Sequence, residues 1–282
     1  MADEIKIYEL LRTDLRGAIV VDGFPSVGLV STITANYLIS ALELQQVGIL
    51  DSVFFPTVSV IRNAEPLNPV RLYAGDLKPA DNEGKHRIVV FISEFQPPAN
   101  LIKMIASTML DWMHEQGCGM LISPEGLVVD KGEGEEGAEE GGEEKPEPTK
   151  CKSNVKDPEG KKLSCAYGIG STKAARKLLE DNKIPLFQEG VISGVAGVLL
   201  NEGRRRNWDV ISILAEAKPN YPDARAAAMV LDTLTKIIPD LKIDVEPLYN
   251  EAESIEEKIR TMHKQAAGEP SKKQAPHPQM YG

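Results

Sequence analysis

Short β-branched runs alternate with stretches of helical periodicity along most of the chain. That alternation predicts an α/β fold, a mainly parallel sheet covered by helices on both faces. Residues 5–10 are a first strand, at an edge, and 18–22 a second. The loop Gly23-Phe24-Pro25-Ser26 follows, then a helix over 27–40 with Ser26 as its expected N-cap. Residues 46–54 and 58–61 are strands around Pro56, 71–73 is extended, and 87–93 is the clearest buried strand. A helix running from the loop 94–98 to about 116 presents Ile102, Ile105, Ala106, Met109 and Met113 near 3.6-residue spacing and stops at Gly117. A strand over 120–123 comes next.

A Gly/Glu-rich and then Lys-rich stretch over 126–164 breaks the alternation, which resumes at once. Strands are expected at 165–169, 184–187 and 209–215, with helices at 172–182 and 222–238. Gly190, Gly194 and Gly197 lead into a short helix ending at Gly203. One α/β domain over 1–246 therefore carries an acidic insertion at about 128–162, kept disordered by low hydrophobicity and like charge. From 247 to 267 the apolar positions Leu248, Ala252, Ile255, Ile259, Met262 and Ala266 follow a 4-3-4-3-4 spacing, whose period of 3.5 is that of a coiled-coil seam. Two readings stay open for it: an oligomerising helix, or an amphipathic helix packed on its own domain. Residues 268–282, with Pro270, Pro276 and Pro278, form a flexible polar tail.

With 282 residues and 42% hydrophobic content, the chain can bury a core without staples. Its apolar runs fall short of the roughly 20 residues of a membrane span, and no leader opens it, so a cytoplasmic protein is expected. The net charge of -10 argues against a nucleic-acid partner. Residues 131–149, with eight Glu against two Lys, supply more than half of that charge. Cys118, Cys151 and Cys165 make neither a disulfide framework nor a Cys-x-x-Cys pair, and no metal or cofactor is expected. Cys151 and Cys165 bracket the turn Asp157-Pro158-Glu159-Gly160, so a hairpin there would bring them within bonding range. Free thiols are the default in a reducing cytoplasm.

Gly23-Phe24-Pro25-Ser26-Val27-Gly28 lies between a strand and a helix N-terminus, where backbone N–H groups can hold an anion. No Gly-Lys-Ser/Thr follows and the spacing is not Gly-x-Gly-x-x-Gly, so turn geometry is the plainer reading, as it is for 190–197. Glu94, Glu125, Glu202 and Glu216 each follow a predicted strand or short helix, and carboxylates at one end of a parallel sheet can act as acid and base. The histidines at 86, 114, 263 and 277 fall in turns, on helices or in the tail. Ser193 has no base near it in sequence, and no Gly-x-Ser-x-Gly elbow exists. No catalytic residue is nominated. Gly23, Ser26, Gly28, Glu94 and Glu125 mark a candidate ligand crevice, and Arg204-Arg205-Arg206 is read as a solvated basic loop.

The tail ends in Met280-Tyr281-Gly282, which offers an apolar ring, one hydroxyl and a carboxylate to a partner's pocket. The body adds a resemblance. Gly23-Phe24-Pro25-Ser26-Val27-Gly28-Leu29-Val30, Ser93-Glu94 after the apolar strand, Gly190-Val191-Ile192-Ser193-Gly194-Val195-Ala196-Gly197-Val198-Leu199-Leu200, and Glu216-Ala217 with Pro222-Asp223-Ala224 resemble the proteasome assembly chaperone 2 family in its archaeal form. The resemblance implies a three-layer α/β/α sandwich like that of nucleoside phosphorylases, without a shared chemistry. It also implies binding to the α-ring of the 20S proteasome, as an ATP-independent assembly chaperone or activator. Proteasome activators resemble one another in ending with a hydrophobic residue, Tyr and any residue, a pattern that Met280, Tyr281 and Gly282 match in turn. In that reading Tyr281 is the wedge and the Gly282 carboxylate meets a pocket Lys between α-subunits. A homo-oligomer, trimer to pentamer, would present several tails at once. The alternative is an enzyme of the phosphorylase or hydrolase type that uses the strand-end carboxylates. The insertion matches nothing in the family pattern.

Overall fold

The computed structural model describes residues 5–77, 86–128, 166–219, 221–238 and 240–250. The apolar runs form an eight-stranded sheet in the order β1-β3-β6-β7-β2-β8-β10-β9. Its strands are β1 (Ile5–Glu9), β2 (Ile19–Val21), β3 (Gln45–Ser52), β6 (Val70–Asp76), β7 (Arg87–Ser93), β8 (Met120–Leu127), β9 (Tyr167–Gly170) and β10 (Val210–Glu216). β4 (Val60–Arg62) and β5 (Glu65–Leu67) make a separate small hairpin. The helices are α1 (Val30–Ala41), α2 (Ala99–Glu115), α3 (Lys173–Asp181), α4 (Gly194–Arg206) and α5 (Ala224–Ile237).

The sheet is mixed, which corrects the expectation of a mainly parallel one. β7, β2, β8 and β10 run parallel at the centre. β1, β3 and β6 flank them antiparallel on one side, and β9 does so on the other. The cause is the connections. A parallel neighbour needs a crossover long enough for a helix, whereas β3 reaches β6 through the β4–β5 hairpin without any helix.

Alternation along the central strands splits the core by face. Ile19 and Val21 of β2, Ile88, Val90 and Ile92 of β7, and Ile122 of β8 pack with α1, α3 and α5. Val20, Val89, Phe91 and Leu121 turn to the opposite face and pack with α2 and α4. β7 is buried on both faces because helices cover both, which is why it reads as an unbroken apolar run.

Other expectations shift by local causes. Residues 184–187 form no strand and contribute only a parallel bridge between Gly168 and Leu186. α4 passes through Gly203, where a Cβ would stand 2.5 Å from Val210 Cγ2, so this glycine permits close helix–strand packing instead of ending the helix. Arg204, Arg205 and Arg206 lie in the last turn of α4 and not in a loop, at the end that favours cations. Arg205 pairs with Glu202 at 2.5 Å, and Arg206 with Glu202 at 3.2 Å and Asp111 at 2.5 Å.

Residues 246–250 are helical, and Leu248 is buried in the core on the α1/α5 face with Tyr249 packed against it. The Tyr37 hydroxyl donates to the Asp244 carbonyl, tying this segment to α1. Leu248 therefore serves the domain's own core. Ala252, Ile255, Ile259, Met262 and Ala266 lie outside the described residues, as do the acidic insertion, Cys151, Cys165 and the tail with Met280, Tyr281 and Gly282.

Candidate functional site

The carboxyl ends of β2, β7, β8 and β10 meet the loop 22–29, at the edge of an open α/β sheet where ligands bind. The loop is held tightly by its own domain. At Gly23 a Cβ would fall 2.4 Å from Ala35 Cβ and 2.4 Å from the Phe91 carbonyl oxygen, and the Ser93 N–H donates to the Gly23 carbonyl at 3.3 Å. Gly28 has φ 62° and its carbonyl accepts from the Asp223 N–H at 2.8 Å. Leu29 follows, also left-handed at φ 51°, so the chain passes through a 3-10 turn at Val27–Leu29 before α1 begins. Ser26 therefore caps at a distance: its Oγ accepts from the Ser31 N–H at 3.1 Å, while the Ser31 hydroxyl donates to the Phe24 carbonyl. The glycines are used in close approach of the chain to itself, which is the turn geometry weighed against an anion cradle.

Glu94 and Glu125 do not come together. Glu94 Oε1 lies 2.5 Å from Arg71 Nη2 and 3.1 Å from Arg62 Nη2. Arg71 is wholly buried, and its other donors go to the Tyr73 hydroxyl at 3.2 Å and the Asn68 carbonyl at 2.6 Å. Glu94 is thus the counter-ion of a buried guanidinium and, through Arg62, a latch on the β4–β5 hairpin. Glu125 faces elsewhere, toward Asp22.

Asp22 is fully buried just past β2. Its Oδ1 accepts from the Phe24 N–H at 3.0 Å and its Oδ2 from the Ser123 hydroxyl at 2.8 Å. Burial pushes its carboxyl up to about 6, and the two hydrogen bonds oppose that shift only in part. Glu125, two residues beyond Ser123 on β8, is half-buried, and its carboxyl is pushed well above the ordinary value by desolvation and then by the charge of Asp22. Sequence reading missed Asp22, Ser123 and Arg71. The available signal was a polar residue closing or interrupting an apolar strand, as in Val20-Val21-Asp22 and Leu121-Ile122-Ser123.

Among the described residues, no histidine joins the carboxyls of Asp22 and Glu125. His86 pairs with Asp240 at 2.7 Å and the His114 ring packs on Trp208, both away from Asp22. Glu202 is engaged by Arg205 and Arg206, and Glu216 closes β10. The described residues contain no group of three or more His, Cys, Asp or Glu able to hold a metal ion, and no helix among them is long and apolar enough to cross a membrane.

Comparison with known proteins adds what the geometry does not. The profile of the PAC2 family matches residues 20–263. The crystal structure of Pyrococcus furiosus PbaA, an archaeal homolog of proteasome-assembly chaperone, is similar at 30% identity and a TM-score of 0.69, over 93% of this chain and 97% of that one. Pyrococcus furiosus PbaB, an archaeal proteasome activator, is similar at 25% identity and a TM-score of 0.69, over 93% and 99%. An uncharacterized protein of Methanocaldococcus jannaschii is 25% identical over 280 residues, covering 99% of each chain.

Proposed function

The chain belongs to the PAC2 family, and from that premise we propose that it is a cytoplasmic, ATP-independent binding partner of the 20S proteasome, an assembly chaperone or activator without catalysis of its own. One observation carries the reading. A chain similar almost end to end to PbaA and PbaB finishes in Met280-Tyr281-Gly282, a hydrophobic residue, Tyr and any residue. The last three residues are the docking element. Met280 and the Tyr281 ring enter a pocket of the α-ring, and the Gly282 carboxylate pairs with a pocket lysine. The α/β/α body is the platform from which a flexible tether presents this element.

Affinity from three residues is small, so the platform acts as a homo-oligomer, trimer to pentamer, whose several tails bind with avidity. The seam at Ala252, Ile255, Ile259, Met262 and Ala266 supplies self-association, Leu248 being engaged in the domain core. The arrangement around Asp22 and Glu94 supports a non-catalytic role: one carboxylate is neutralised by arginines, and the other has no imidazole or amine beside it among the described residues.

The test is co-precipitation of 20S α-subunits by the untagged C-terminus. Deleting 280–282, changing Tyr281→Ala, or extending Gly282 with a tag abolishes capture while circular dichroism stays unchanged. Capture that survives all three changes sinks the docking claim. Peptide hydrolysis by the mature 20S particle, with and without the protein, then separates gate opening from assembly.

A further inference from the structure

Three polar side chains stand in a row across the central strands on the α2/α4 face. Val20 and Leu121 belong to that face, so alternation places Asp22 and Ser123 there as well. Val210 belongs to it too, which places Ser212 on the same face, while Ile211 and Ile213 turn to the other. The register sets Ser212 directly opposite Ser123, and Ser123 donates to Asp22 at 2.8 Å. All three residues are fully buried. Glu125, two positions along β8 on that face and half-buried, forms the mouth of the row.

The row is incomplete as it stands. The Ser212 hydroxyl is buried and has no hydrogen-bond partner among the described residues. A buried hydroxyl left unpaired is costly, and such groups in native proteins are met by protein, water or ion. Asp22 keeps lone pairs beyond the two it uses, and the Glu125 carboxyl makes no side-chain hydrogen bond with the described residues. Among the described residues, no Lys or Arg is paired with Asp22 or Glu125, in contrast to Glu94. The polar groups that the register places along the row are all oxygen donors, two carboxyls and two hydroxyls.

We propose that Asp22, Ser123, Ser212 and Glu125 form a binding site for one hard divalent cation of the Mg2+ or Ca2+ class. Oxygen-only ligands select that class, and two carboxylates balance its charge. Asp22 is the inner ligand. Glu125, at the mouth, admits the ion and leaves room for the bound waters that Mg2+ retains and Ca2+ tolerates. The ion satisfies the Ser212 hydroxyl and joins the end of β2 to the interiors of β8 and β10 behind the loop 22–29. This inference is independent of the proteasome reading and involves no residue of the tail.

The experiment is isothermal titration of the chelator-treated full chain with MgCl2, and separately with CaCl2, at physiological ionic strength, where diffuse binding to residues 131–149 is screened. The expected result is saturable one-to-one uptake of at least one ion. Asp22→Asn should weaken it at least tenfold and Ser212→Ala several-fold, in line with the loss of a ligand or its neighbour. A row that holds only water gives no saturable isotherm with either ion, and this overturns the proposal. Identical isotherms for wild type and Asp22→Asn assign the uptake to the acidic stretch and overturn it equally. If Asp22→Asn does not fold, Glu125→Gln at the half-buried mouth takes its place, and unchanged affinity there is the refuting result.

Discussion

Removing the Glu94 carboxylate strands a buried charge, and the cost can be worked from the geometry. Arg71 is wholly buried, and Glu94 at 2.5 Å is the anion that balances it. Breaking a fully buried pair by deleting one partner costs roughly 3–5 kcal/mol, because the remaining charge stays desolvated. The Glu94 side chain is 26% exposed, so water reaches the gap, and the Asn68 carbonyl and Tyr73 hydroxyl keep two Arg71 donors satisfied. Glu94→Ala should therefore cost about 2–3 kcal/mol. Urea unfolding followed by circular dichroism reads this as a lower midpoint at unchanged slope. Two variants sharpen the attribution. Arg62→Ala removes the half-exposed arm of the network and should cost under about 1 kcal/mol. Arg71→Met combined with Glu94→Gln replaces charge by apolar volume and should recover part of the loss, giving non-additive energies for residues in contact. Glu94→Ala within 0.5 kcal/mol of wild type, a difference comparable to that of ordinary surface substitutions, would refute the reasoning. So would an Arg62→Ala as damaging as Glu94→Ala.

Three further outcomes follow from single observations. Gly23→Ala brings a Cβ to 2.4 Å from a backbone carbonyl oxygen that β7 holds in place, so a loss of about 1–3 kcal/mol is expected in the same unfolding assay. In metal-free buffer, Asp22 titrates near 6 in the folded protein against 3.8 ordinarily, so between those values the native state keeps a proton that the unfolded chain has lost. Asp22 therefore contributes a fall in stability as pH rises from about 4 to about 6, by roughly 3 kcal/mol at the limit, and the neighbouring Glu125, whose carboxyl is also held above its ordinary range, extends the fall to higher pH. Asp22→Asn should remove the Asp22 share of that slope, and parallel pH profiles for the two proteins would contradict it. Burial pushes the Cys118 thiol up to about 12, so native protein at pH 8 should not be alkylated there, and mass mapping should find Cys118 modified only after unfolding.

How far the fold could be read depended on whether a segment's neighbours were local. Residues 87–93 carry their burial in composition, and α2 carries its face in spacing, so both elements lie close to where periodicity put them. Strand direction is different, because it depends on connections and not on the strand's own residues. β3 and β6 pair antiparallel because only the β4–β5 hairpin separates them, and their own residues do not announce that direction. Gly203 misled for a related reason. Its missing side chain is required by Val210, a strand residue across the helix–sheet contact, and nothing adjacent in sequence announces that.

The site was half legible, and the missing half follows one rule. Glu94 and Glu125 were noticed as carboxylates after strands, which is a statement about position alone. What each does depends on the strand beside it: β6 sends a buried arginine to Glu94, and β2 sends a buried aspartate to the neighbourhood of Glu125. The same residue type therefore ends in opposite electrostatic settings, one paired with arginines and the other beside a second buried carboxyl, where desolvation and like charge both favour the protonated form. Asp22, Ser123 and Ser212 carry no motif spacing, since they are far apart in sequence and adjacent only through the register β2-β8-β10. Each by itself is an ordinary polar residue closing or interrupting an apolar run. Three on one face, at one level of the sheet, with one hydroxyl unpaired, are a different object. Two parallel pairings, β2 with β8 and β8 with β10, bring them level, so the β2–β8–β10 topology that stabilises the platform is also what assembles the row.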